Sequence, residues 1–101
     1  MATTPTVLFR GAATTTTTTT LYTVPSSTTT IVTEIMVANT TSTPASFTIS
    51  LNGTAIATGT TVGANDTTII PCKQVLVATN TITGGASATS VNFSISGVQI
   101  V

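Results

Sequence analysis

Threonine is the feature that most constrains this chain, because it supplies 29 of the 101 residues and forms one uninterrupted run of seven at positions 14–20. β-branched side chains lose little conformational freedom in a strand and more in a helix. The common helix formers are scarce, with four Leu, two Gln and one each of Glu, Lys and Arg. The composition therefore predicts an all-β protein.

Turn-forming residues divide the chain into short segments. Clusters of Gly, Pro, Asn and Ser recur at 25–27, 39–44, 52–53, 63–66, 79–80 and 84–87, a spacing typical of a sandwich or barrel. The segment Ala45–Leu51 alternates apolar and polar residues and is followed by Asn52-Gly53, a strong hairpin signal. A second strand is then expected at 54–58. We predict an antiparallel β-sandwich, Ig-like or jelly-roll-like, of about seven or eight strands, as one domain over residues 13–101.

Two segments raise a question of register. From Thr29 to Asn39, one face carries Ile31, Ile35 and Val37 together with Thr33, while Val32, Met36 and Ala38 make the other face apolar. This strand is predicted to be central or covered on both sides. In the last segment Val91, Phe93 and Ile95 share a face, whereas Val98 and Ile100 fall on the opposite parity. A β-bulge at Gly97 would restore the apolar side; the alternative is a last strand with both faces covered.

The threonine run has two chemically identical faces, so it cannot define its own register. Phe9 before it, and Leu21, Tyr22 and Val24 after it, are the only flanking residues that can do so. We interpret the run as a strand fixed at its ends. The alternative is a disordered, mucin-like stretch; such stretches usually contain Pro, and this one contains none.

The small number of charges excludes several classes of function. Arg10, Glu34, Asp66 and Lys73 are the only charged residues, whereas a soluble domain usually has about 25–35% of its surface charged. Two basic residues cannot make the several phosphate contacts behind nucleic-acid affinity. No apolar run approaches the roughly 20 residues that cross a bilayer. We expect no nucleic-acid or membrane partner, and a surface that is covered by other subunits.

The side chains that carry most enzyme chemistry are missing. The chain has no His, one Cys and two acidic residues, so the commonest general base and the commonest metal ligand are absent together. These residues cannot complete a zinc or calcium shell within one chain. We predict no metal, no cofactor and no enzymatic activity. Cys72, which cannot form an intrachain disulfide, is interpreted as a small buried residue.

Residues 1–12 are interpreted as an N-terminal arm. The segment lacks a basic start followed by a long apolar stretch, so it does not resemble a secretory signal. Val7, Leu8 and Phe9 form an apolar group with Arg10 beside it. Ordering a free arm costs conformational entropy, so we expect this group to become ordered on a neighbouring subunit or a capsid.

Four segments carry a resemblance to a known group of proteins: LYTVPSSTTTIVTEIMVANTT, SFTISLNGTAI, KQVLVATNTITG and VNFSISGVQIV. Over about residues 21–101 the chain resembles a class of small, Thr-rich, all-β structural proteins of tailed bacteriophages. The positions that carry the resemblance are 21–25, 47–53, 73–76 and 82–84. Such proteins decorate the capsid or belong to the neck and tail.

The resemblance implies a capsid decoration (cement) protein that binds the major capsid protein, forms a homotrimer, and enters the virion during assembly in the bacterial host cytoplasm. A neck or tail component is an alternative, as is a carbohydrate-binding β-sandwich for host attachment. The last would usually have surface Trp or Tyr for stacking on sugars, and Tyr22 is the only such residue. The candidate assembly contacts are Val7, Leu8, Phe9, Arg10, Tyr22 and Met36.

Overall fold

The computed structural model describes residues 3–101 and contains eight β-strands in two four-stranded antiparallel sheets. The strands are β1 (Thr3–Ala12), β2 (Thr20–Thr23), β3 (Thr29–Asn39), β4 (Ala45–Leu51), β5 (Thr54–Val62), β6 (Thr67–Leu76), β7 (Thr81–Ala86) and β8 (Val91–Ile100). Sheet A has the order β1-β8-β3-β6, and sheet B has the order β2-β7-β4-β5. The predicted all-β sandwich is confirmed. Residues 3–101 contain no helix that is long and apolar enough to cross a membrane.

The strand order identifies the sandwich as a jelly roll. β1 pairs with β8, β2 with β7, β3 with β6 and β4 with β5. The chain is thus one long antiparallel ribbon that folds back on itself at β4 and β5. Rolling this ribbon brings β8 beside β3 and β7 beside β4, which completes the two sheets. Of the two sandwich types expected from the sequence, this arrangement is the jelly roll.

The core lies between the sheets and is made mostly of Val and Ile. The fully buried apolar side chains include Val24, Val32, Ile35, Val37, Phe47, Ile49, Val62, Ile82, Val91, Phe93 and Ile95. Phe47 on sheet B meets Phe93 on sheet A edge to face, with ring centroids 6.3 Å apart, a favourable aromatic geometry. The alternation predicted for Ala45–Leu51 is present, with the odd positions buried.

The predicted hairpin turn is also present. Asn52 and Gly53 both have positive φ, at 48° and 83°, as a type I′ turn requires. The strand that follows is longer than expected, since β5 continues to Val62.

The predicted bulge at Gly97 is wrong, because the extra residues lie on the neighbouring strands. Leu8 on β1 is the residue without a partner opposite the Ile95-Ser96 step of β8, and Thr33 on β3 is the one opposite the Ser96-Gly97 step. Gly97 lies on the buried side of β8, like Val91, Phe93 and Ile95. A Cβ at Gly97 would lie 2.5 Å from the Ile31 carbonyl oxygen. Two bulged strands close in on β8 at this point, so only glycine fits.

The bulge at Thr33 also changes the register of β3. It places Thr30 and Val32 on the inner side before the bulge and Ile35 and Val37 on the inner side after it. The sequence grouping of Ile31 with Ile35 and Val37 is therefore wrong. A period-2 pattern cannot reveal an inserted residue when both parities are apolar.

The threonine run is a loop rather than a strand, except for Thr20 at the start of β2. Its carbonyl oxygens at Thr14 and Thr19 accept hydrogen bonds from the amides of Ala86 and Gly84, each 2.9 Å long. The Thr14 and Thr19 hydroxyls bond to each other at 2.6 Å. The prediction of a continuous strand failed because threonine hydroxyls bond within their own loop in competition with a ladder.

The N-terminal segment is part of the sandwich. Thr3–Ala12 forms edge strand β1 of sheet A and pairs with β8 along its length. The structure thus places no boundary between an arm ending at residue 12 and the β-domain; residues 1 and 2 of the predicted arm lie outside the described residues. Leu8 is buried in the core and Phe9 packs against it.

Candidate assembly surface

The outer face of sheet A is the most unusual surface of the molecule, and we call it the A face. It is built from four rows of residues that cross the strands in the order β1, β8, β3, β6. The first row is Pro5, Val98, Ile31 and Val75; the second is Val7, Ser96, Glu34 and Pro71; the third is Arg10, Ser94, Met36 and Ile69; the fourth is Ala12, Asn92, Ala38 and Thr67. Side chains of paired residues lie on the same side of a sheet, so each row is continuous.

Large apolar side chains on the A face are open to solvent. Val75 is 60% exposed, Ile69 51% and Val7 48%, and they lie in three successive rows. Single exposed apolar residues are ordinary, but contiguous apolar patches mark interaction sites. Three of the six exposed large hydrophobic residues of the described chain thus lie on one face of one sheet, Ile69 and Val75 on edge strand β6 and Val7 on the opposite edge strand β1. The first row is apolar from edge to edge.

The A face carries two opposite charges on different strands. Arg10 lies on edge strand β1 and Glu34 on β3, and both side chains are exposed. The Arg10 Nε donates a hydrogen bond of 3.3 Å to the Ser94 hydroxyl on β8. This contact directs the guanidinium group across the sheet.

A shallow depression lies beside Arg10. Its lining includes Gly11, Ala38, Asn92 and Ser94, with Met36 at its side. The depression exists because Ser94 and Ala38 have small side chains and Gly11 has none.

The outer face of sheet B, which we call the B face, has different chemistry. Its central strands β4 and β7 direct Ser and Thr side chains outward, at Ser46, Thr48, Ser50, Thr81 and Thr83. The threonine loop covers the remaining outward position, at Gly85. The B face is therefore uncharged and lined with hydroxyl groups, which can remain solvated.

All four edge strands are irregular. The extra residues lie at Leu8 on β1, Leu21 on β2, Ile56 on β5 and Cys72-Lys73 on β6. The edges of sheet A also contain Pro5 and Pro71. Bulges and prolines prevent another chain from adding to a sheet edge. Association through the faces is thus left as the accessible route.

The structure divides the six candidate assembly residues into two groups. Val7, Arg10 and Met36 lie on the A face. Leu8 is buried, and Phe9 and Tyr22 pack against the core. The Tyr22 hydroxyl accepts a 2.7 Å hydrogen bond from the Gln99 side-chain amide and lies 2.9 Å from the Thr30 hydroxyl. Tyr22 therefore links the two sheets.

Ile69, Val75 and Ile31 are A-face residues that no sequence-based prediction indicated beforehand. Ile69 and Val75 belong to β6, which alternates poorly because of its bulge. A signal was present in β3, since both of its faces are apolar and only one can point into a two-layer core. That signal indicates an outward apolar face.

The described residues show little that could support catalysis. No group of three or more His, Cys, Asp or Glu residues lies together within residues 3–101. Cys72 is half-buried, and burial raises the pKa of its thiol above the ordinary value. A raised pKa lowers the thiolate fraction at neutral pH, which makes the thiol a poor nucleophile.

Comparisons with known proteins identify the fold. No protein-family model matches the chain, and no curated protein is similar to it in sequence. Among solved structures, a chain of infectious bursal disease virus, Gx strain, has a TM-score of 0.50 and 14% identity, with 97% of this chain and 29% of that chain covered. The corresponding Gt strain structure has a TM-score of 0.47 and 13% identity, with 97% and 30% covered.

A pentameric capsid protein isolated from metagenomic phage sequences has a TM-score of 0.42 and 18% identity, with 94% of this chain and 58% of that chain covered. The present chain thus spans about a third of the length of the two bursal disease virus chains. At such identities the likeness concerns the fold alone.

Proposed function

We propose that this chain is a virion structural protein, and within that class a capsid decoration (cement) protein. In this proposal it binds between major capsid subunits, as a homotrimer, and stabilises the head. It has no enzymatic activity and takes no metal or cofactor. It resides in the virion after assembly in the bacterial host cytoplasm.

The observation that carries the proposal is the A face. It combines exposed Val7, Ile69 and Val75 with a chain that has four charged residues and no net charge. A freely soluble protein avoids this combination, because apolar patches and near-zero net charge both promote association. A protein permanently embedded in an assembly keeps such a face covered.

The fold supports the same class of function. Jelly rolls occur in viral capsid proteins, lectins and cupins, and the solved structure with a TM-score of 0.50 is that of a virus. Because one fold hosts several functions, the residues must decide between them. The chain has no His for a cupin metal site. Among residues 3–101 no aromatic side chain is exposed for stacking on a sugar, which disfavours the carbohydrate-binding alternative.

Locating the protein on the particle tests the proposal. Cryo-electron microscopy of purified virions should show density for this jelly roll on the capsid shell, and quantitative mass spectrometry should give hundreds of copies per particle. A dozen copies or fewer would assign it to the neck or tail instead. Absence from purified virions would refute a structural role in the particle.

A further inference from the structure

We propose that the A face binds a second copy of this chain, with Arg10 of one copy paired with Glu34 of the other. This inference rests on the proposed function and replaces its homotrimer, because two A faces that cover each other through reciprocal Arg10–Glu34 pairs form a closed two-fold dimer. It is tested on purified protein without particles, so it can fail or succeed independently of where the protein is found in a virion.

The molecule offers one apolar face for association, and its sheet edges are irregular. Every edge strand of the two sheets has an inserted residue, and the sheet A edges also contain proline. Strand addition between copies therefore has no regular ladder to extend. The B face presents hydroxyl groups that lose hydrogen bonds to water when they are covered. The A face is apolar at ten of its sixteen row positions; covering it removes Val75, Ile69 and Val7 from solvent, and its two charges are compensated when each is paired across the contact.

The A face is large enough for a specific contact between two copies. Four strands about 4.8 Å apart and four rows about 7 Å apart give a flat area of roughly 500 Å². Two such faces together bury about 1,000 Å², which is the lower bound for a specific protein interface. The chain exposes 5102 Å² in all, so each face is about a tenth of the surface, as in other interfaces of small proteins.

The two charges of the A face complement each other when two copies face one another. Arg10 and Glu34 are separated by two strand spacings and one row, a distance of about 12 Å between their backbone positions. The Arg10 side chain is also engaged by Ser94 in its own chain. When two copies lie with their A faces against each other, β1 of one copy can lie over β3 of the other copy. Each charge then meets the opposite charge, whereas a face of one sign would repel its copy. The two remaining charges lie at the β6 edge, Lys73 on the strand itself and Asp66 immediately before it.

A charge-swap experiment tests the pairing. The wild type, Arg10→Glu, Glu34→Arg and the double variant are compared by sedimentation velocity over a range of micromolar concentrations at low salt. Each single variant places like charges together, which should weaken association about tenfold or more. The double variant restores opposite charges and should associate within about threefold of the wild type. A double variant no tighter than the single variants would overturn the proposed pair.

A second pair of variants tests the face itself. Val75→Lys places a charge on the A face and should convert the protein to a monomer. Ile56→Lys introduces the same side chain at an exposed isoleucine of β5 in sheet B and should leave association unchanged. Far-ultraviolet circular dichroism and urea unfolding of each variant verify the fold. Equal effects of the two substitutions would refute the proposal. A wild type that stays monomeric at a concentration of about 100 µM would also refute it.

Discussion

Replacing Gly85 with Ala should detach the threonine loop from β7. A Cβ at this position would lie 2.7 Å from the Thr16 carbonyl carbon and 2.9 Å from the Thr14 carbonyl oxygen. Ordinary van der Waals contact begins near 3.4 Å, and the obstructing atoms are backbone, which no rotamer change can move. The loop must therefore retreat by roughly 1 Å.

The retreat breaks the two hydrogen bonds that hold the loop. The bonds from the Gly84 and Ala86 amides to Thr19 and Thr14 are 2.9 Å long, and an added 1 Å or so exceeds hydrogen-bonding distance. Each bond contributes about 0.5–1.5 kcal/mol net. Alanine recovers about 0.4–1 kcal/mol by restricting the unfolded chain. We expect Gly85→Ala to lower the free energy of unfolding by about 1–2 kcal/mol.

Urea unfolding at fixed protein concentration measures this loss, and amide hydrogen exchange locates it. In the variant the Gly84 and Ala86 amides should lose most of their protection, because their acceptors have moved away, while the Val32 and Ile35 amides of β3 should exchange faster only in proportion to the lower free energy of unfolding. Gly11→Ala is the matched control, because a Cβ there meets nothing closer than the Phe9 ring at 3.7 Å. If Gly85→Ala keeps wild-type stability and both amides remain protected, the loop is not held in the way described.

Three further outcomes are expected. Gly97→Ala should cost about 1–3 kcal/mol in urea unfolding, because its Cβ would meet the Ile31 carbonyl oxygen; an unchanged midpoint would contradict the double bulge. Tyr22→Phe should cost about 1–2 kcal/mol, since it removes the hydroxyl that bonds Thr30, and wild-type stability would argue against this link between the sheets. The raised pKa of Cys72 means that the folded protein keeps the thiol proton to higher pH than the unfolded chain. Stability should thus fall as pH rises above about 8.5, and Cys72→Ser should reduce that fall.

Local patterns were enough to predict the fold class and one hairpin. The excess of β-branched residues determines the all-β class, and Ala45–Leu51 followed by Asn52-Gly53 has a single consistent register. These features depend on neighbours in sequence. The jelly-roll order depends on which strands meet, and β1 with β8 or β2 with β7 join opposite ends of the chain. No local pattern encodes those pairings.

Bulges explain most of what the sequence could not predict about the site. The extra residue at Thr33 turns Ile31 outward, and the one at Leu8 turns Val7 outward while Leu8 enters the core. In a segment with apolar residues at both parities, the position of an inserted residue is decided by packing against the opposite sheet. Pro5 and Ile31 lie on the outer side of sheet A, each opposite Val98, only because both bulges are in place.

Irregular edges and a scarcity of charge are connected. Most soluble β-proteins prevent edge-to-edge aggregation partly with charged side chains on their edges, but this chain has only four charges to use. Its edges are instead interrupted by inserted residues on all four edge strands. A repeating edge contact leads to open fibres, whereas a face contact between copies can close upon itself. The bulges thus prevent edge-to-edge aggregation, as charged side chains do in other β-proteins. They allow the apolar A face to be retained without uncontrolled association.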